Sequence, residues 1–69
     1  MLSFTDAQLR NTAYYRNAIL DGYKIITDFR GEYMIFRMKK GRKETSQSGR
    51  IQTYKEFNDQ LVIFMQELA

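Results

Sequence analysis

Five cations crowd into seven positions, Arg37, Lys39, Lys40, Arg42 and Lys43, and Arg50 follows after a short polar stretch. Glu44 is the single acid between Arg37 and Arg50, although the whole chain carries a net charge of only +3. The charge is therefore concentrated on one segment. A cluster of this kind works by attraction: it gathers anions, and the neighbouring Thr45, Ser46, Gln47 and Ser48 are of the types that donate hydrogen bonds to phosphate oxygens. The glycines nearby do not form a phosphate loop, because neither G-x-G-x-x-G nor G-x-x-x-x-G-K-[ST] occurs, and turn formation explains them.

Catalytic chemistry has little to work with. The chain has no His and no Cys, which removes the usual general base, the strongest nucleophile and zinc sites of the Cys/His kind. Of the acids, Asp6 and Glu56 stand at helix starts, and Asp28 and Glu32 flank a tight turn. Two carboxylates without further oxygen ligands hold a hard cation poorly. A non-enzymatic binding module needing no cofactor and no metal is the expectation.

The elements that must position the basic run can be read from spacing. Thr5-Asp6-Ala7-Gln8 is a capping box with Phe4 and Leu9 at its staple positions, and Gly22 is placed to end a helix in the left-handed conformation. A helix over about residues 6–21 follows, with Arg16 interrupting the apolar stripe at 9, 13, 16 and 20. Arg16 either lays its stem along the core edge or joins Arg10 in extending a basic surface.

Residues 23–29 and 33–39 are rich in β-branched and aromatic types and are separated by Asp28-Phe29-Arg30-Gly31, the pattern of an antiparallel hairpin. In its second strand Met34, Phe36 and Met38 share one face and Tyr33, Ile35, Arg37 and Lys39 the other. After a turn at Lys40-Gly41, residues 42–48 read as a third strand or as an irregular loop. Thr53-Tyr54-Lys55-Glu56 is a second capping box, opening a helix over about 54–68 with Phe57, Leu61, Phe64, Met65 and Leu68 at helical spacing. Val62 and Ile63 widen its apolar surface beyond one stripe.

These elements describe one small α+β domain spanning residues 1–69: helix, antiparallel hairpin of two or three strands, helix, with both helices on one face of the sheet. A domain of this size buries only about 60% of the surface its unfolded chain exposes. With disulfides and structural zinc excluded, a tight aromatic core or a homodimer seam must supply the stability, and five Tyr and five Phe offer the material for either. No apolar run approaches the ~18–20 residues that span a bilayer, and MLSFTDAQLR has neither a basic nor an apolar leader region. A protein that avoids membranes and resides in the cytoplasm is expected, in keeping with the lack of Cys.

Two functional readings remain. In the first, the protein binds nucleic acid through a basic hairpin tip: Lys39, Lys40, Arg42, Lys43 and Arg50 contact phosphate, Arg37 reaches a base edge, and Tyr33 offers a stacking face. In the second, it binds a protein partner, as an inhibitor or adaptor of the kind phages and mobile elements encode as short free-standing chains. That interface would use the apolar last helix at Val62 and Ile63 together with exposed tyrosines, Tyr14 and Tyr15 foremost and Tyr23 and Tyr33 beside them.

Overall fold

The computed structural model describes Leu2 and residues 4–69. Thr5 opens α1 (Asp6–Arg10) with both halves of the predicted box: its hydroxyl accepts the Gln8 N–H, and the Gln8 side chain accepts the Thr5 N–H at 2.9 Å. The expected single helix, however, is two. Thr12 caps a second one, α2 (Ala13–Leu20), its hydroxyl accepting the Tyr15 N–H while donating to the Leu9 carbonyl at 2.8 Å. Asn11 and Thr12 are residue types whose side chains or caps compete with continued helix, and here Thr12 takes that option.

The break turns α2 about its axis relative to α1. Leu9, Tyr15 and Ala18 are buried, whereas Ala13 and Leu20 of the predicted stripe face outward. Gly22, at φ 93°, then ends α2 in a Schellman motif, with the Tyr23 N–H bonded to the Ala18 carbonyl and the Gly22 N–H to that of Ile19.

The hairpin follows as β1 (Lys24–Phe29) and β2 (Met34–Lys40), paired antiparallel from Lys24 opposite Lys39 to Phe29 opposite Met34. A second two-residue turn at Gly41-Arg42 leads into β3 (Lys43–Glu44), and after an interruption β4 (Gly49–Ile51) pairs with the same edge of β2. Gly31 and Gly41 have φ of 81° and 63°, and no other residue in either turn has positive φ. Glycine leading a two-residue loop is the II′ pattern that suits the twist of a hairpin.

Of residues 42–48, read as a strand or a loop, only Lys43 and Glu44 are strand, and pairing along that edge resumes at Gly49. Lys39 pairs with Glu44 and Phe36 with Gly49, so two more residues lie on the outer strand than on β2 between those rungs. Opposite Met38 the chain is held by Thr45, 2% exposed: its N–H bonds the Met38 carbonyl, and its hydroxyl accepts the Met38 N–H at 3.2 Å.

Thr53 caps α3 (Tyr54–Leu68) by accepting the Glu56 N–H. The Glu56 carboxylate reaches one residue further back than a standard box, to the Gln52 N–H at 3.1 Å. The two longer helices cover one face of the sheet, α2 over β1 and α3 over β2 and β4. Between them and the sheet lies an aromatic core. The Phe36 ring packs between Phe57 and Phe64 at 4.8 and 5.2 Å, Tyr15 stacks on Phe57, and Phe4 stacks on Tyr54. Met34, Met38, Ile51, Leu61 and Leu68 complete it. The fold is α+β, with helices on one face of an antiparallel sheet as the pattern predicts, built from three helices and four strands among the described residues.

Candidate nucleic-acid interface

Strand alternation divides the basic residues between two sides of the sheet. Met34, Phe36 and Met38 point into the core, so Arg37 and Lys39 lie on the face that the helices leave open, and Lys24 and Arg50 join them there through the pairings Lys24 with Lys39 and Ile35 with Arg50. Ile26, Tyr33 and Ile35 form the apolar part of this face. Lys40 and Lys43 pair with one another and belong to the helix side, and Arg42 occupies the turn. Five cations of the sequence run thus form one end of the sheet, wrapped around its edge, with Arg50 further along the open face.

Several have partners within the chain. Arg37 is ion-paired to Glu44, which stands opposite Lys39, two positions along on the neighbouring strand. The Arg50 guanidinium lies 4.0 Å from the centre of the Tyr33 ring, and the Lys40 ammonium 4.4 Å from that of Tyr23, both cation–π contacts. Tyr33 was expected to offer a bare stacking face; its ring is instead covered by Arg50, so a base would have to stack on the Arg–Tyr pair or displace the guanidinium. Among the described residues, Lys24, Lys39, Lys40, Arg42 and Lys43 have no ion-pair partner.

Lys40, Arg42 and Lys43 border an open depression of about 430 Å³ together with Leu68 and Ala69. This is the carbonyl end of α3, where the helix dipole favours positive charge. Part of the tip's charge therefore also serves the helix.

The polar stretch after the tip is less available than its composition suggests. Thr45 is buried, and Ser46 donates both its N–H and its hydroxyl to Glu67 Oε1 of α3, each at 3.0 Å. Only Gln47 and Ser48 stand exposed without such a tie among the described residues. Lys24 is a member of the basic set that the sequence run does not contain. Fixing the two-residue turn at Gly31-Glu32 sets it opposite Lys39, and that register was the signal available for finding it.

The residues expected at a protein interface separate as well. Tyr15 is 6% and Tyr23 8% exposed, and both belong to the core, which overturns their expected role as exposed contacts. Tyr15 is buried because the helix break turns it onto Phe57, and Tyr23 because it continues the inward face of β1. Tyr14, Val62 and Ile63 are exposed, and Tyr33 is half-buried. Arg10 and Arg16 line a second open depression, of about 410 Å³, with Tyr15, Ile19 and Leu20. Asp6 raises the Arg10 pKa, chiefly through its hydrogen bond at 2.9 Å. Asp28, considered above as half of a cation site, is ion-paired to Arg30 at 2.7 Å.

Comparison with known protein families, with characterised proteins and with solved structures gives no match, so function must be argued from this geometry.

Proposed function

We propose that the protein is a non-enzymatic nucleic-acid-binding module, and that it binds through the basic end of its sheet. One observation carries the reading: at that end β2 sets lysine directly against lysine on both of its sides, Lys39 with Lys24 of β1 on the open face and Lys40 with Lys43 of β3 on the helix side. Like charges directly opposed in a sheet are unfavourable, by roughly 0.2–1 kcal/mol each. A phosphate backbone that passes around this edge of the sheet offsets that cost, and the release of its counterions supplies the affinity. Lys24 and Lys39 would meet phosphates on the open face, Lys40, Arg42 and Lys43 at the tip, and Arg50 with Tyr33 would form a flat surface further along for a base. Arg37, held by Glu44, orients Glu44 rather than reaching a base edge.

The test is fluorescence anisotropy with labelled single-stranded and duplex oligonucleotides over a salt series. Affinity is expected to fall linearly with salt on a double-logarithmic scale, and neutralising Lys40, Arg42 and Lys43 together to flatten the slope by about 2 to 3. Failure to bind at low salt, or binding indifferent to those substitutions, would overturn the reading. The protein-partner reading survives on the exposed Tyr14, Val62 and Ile63, whose substitution would then abolish capture of that partner without affecting oligonucleotides.

A further inference from the structure

β1 is the outer strand of the sheet, and its free edge is self-complementary. The Arg30 N–H bonds the Tyr33 carbonyl, so the even-numbered residues of β1 direct their backbone groups to β2, and Ile25 and Thr27 direct theirs outward. No partner for those outward groups occurs among the described residues. On the open face the strand reads Lys24, Ile26, Asp28: opposite charges placed symmetrically about an isoleucine that is 42% exposed.

We propose that two copies of the chain join edge to edge through β1, antiparallel, about a two-fold axis at Ile26. Ile26 then lies opposite its own copy, Lys24 opposite the second copy's Asp28, and Asp28 opposite its Lys24. Ile25 and Thr27 form hydrogen-bonded pairs across the axis, giving four new backbone bonds, and the sheet becomes one continuous layer of two protomers.

Charge selects this register from the others that the backbone allows. A slip by two residues in either direction sets a charge against Ile26, a slip by four sets Lys24 or Asp28 against itself, and parallel pairing repeats like charges along the seam. Charged residues commonly protect an edge strand from pairing, but protection is lost when the same strand supplies both signs at mirror positions. Asp28 bonds Arg30 through Oδ2, which leaves Oδ1 to accept a lysine. Lys24 gains a counter-charge that it lacks among the described residues of its own chain. On the other side of the sheet, α2, which packs over β1, carries the exposed Ile19 and Leu20, the latter 82% exposed. The inference does not depend on nucleic acid: Asp28 of the second copy would face Lys24, while the Lys40–Lys43 rung and Arg42 stay open.

Sedimentation equilibrium of the purified chain, without oligonucleotide, from micromolar to millimolar concentration is expected to show a monomer–dimer equilibrium. Lys24→Glu and Asp28→Lys should each raise its dissociation constant about tenfold, since two symmetry-related pairs turn repulsive together, and the double variant should restore it. Register is read separately by Ile26→Cys, the only thiol in that variant. Facing residues of a non-hydrogen-bonded pair lie close enough for a disulfide, so mild oxidation should give a covalent dimer, and Lys24→Cys should not. A chain that stays monomeric at every concentration overturns the proposal, as does a dimer that ignores the charge reversals and does not cross-link through position 26. Circular dichroism of each variant separates these outcomes from loss of fold.

Discussion

The Thr45 hydroxyl stands where a strand would normally offer a carbonyl to the Met38 N–H. Thr45→Val keeps the shape but leaves that buried N–H unsatisfied, and denaturant unfolding should register a loss of about 1–3 kcal/mol, much of it recovered in Thr45→Ser. Gly49 is a different case of a residue chosen by its neighbours. A Cβ there would meet Gln60 Cγ at 2.6 Å and the Phe36 ring at 3.0 Å. Gln60 can move, but Phe36 is wedged between two other rings, so Gly49→Ala should cost about 1–3 kcal/mol in the same measurement. Neither role was legible in the sequence. Thr45 read as one of several small polar residues in TSQSG, because its significance arises only when the chain bulges opposite Met38. The inward set Met34, Phe36 and Met38 was legible, since period-two alternation needs no tertiary knowledge.

At the scale of elements, the sequence pattern succeeded where an element is bounded by its own side chains. The Thr5 capping box, the Thr53 cap, the glycine end at Gly22 and the last helix are local, and all are present, although Glu56 closes on Gln52 in place of Thr53. The break at Asn11-Thr12 was missed because the apolar periodicity runs on across it, and the small helix penalty of one Asn and one Thr does not by itself mark an end. Its consequence spread to the tyrosines: with the stripe rotated, Tyr15 went to the core and Tyr14 to the surface. Thr12→Ala should cost about 1 kcal/mol and loosen α2 in particular, visible as faster amide exchange at Tyr15 than in α3. The split of the third strand has a comparable origin. The tie from Ser46 to Glu67 spans distant parts of the chain, and no reading of residues 42–48 alone contains it.

For the molecule as a whole, fold class and the layering of helices on one side of the sheet follow from the order of the elements, and these were legible. The separation of Arg37 and Lys39 from Lys40 was legible in the alternation of β2, but the pairing of Lys24 with Lys39 and of Lys40 with Lys43 was not, because it depends on which turns set the register. The like-charged rungs imply a trade between stability and binding. Lys24→Glu turns the Lys24–Lys39 rung into an opposite-charge pair, and the thermal midpoint of the monomer should rise by roughly 2–4 °C, corresponding to about 0.5 kcal/mol in a domain this small. The same change should weaken oligonucleotide binding. At concentrations where the unsubstituted chain is monomeric, a variant that both loses binding and melts lower would show that Lys24 supports the fold rather than a ligand.

The interruption between β3 and β4 carries one more consequence. Because the surplus residues are absorbed opposite a single stretch of β2, and the pairing of Phe36 with Gly49 is re-established beyond it, the chain contains a place where length can change without transmitting a frame shift. Gln47 and Ser48 are exposed at its apex. An epitope or a small reporter spliced between them would leave Gly49 and Ile51 in step with Phe36 and Met34, and would make this bulge the natural port for tethering the protein to a surface or a probe.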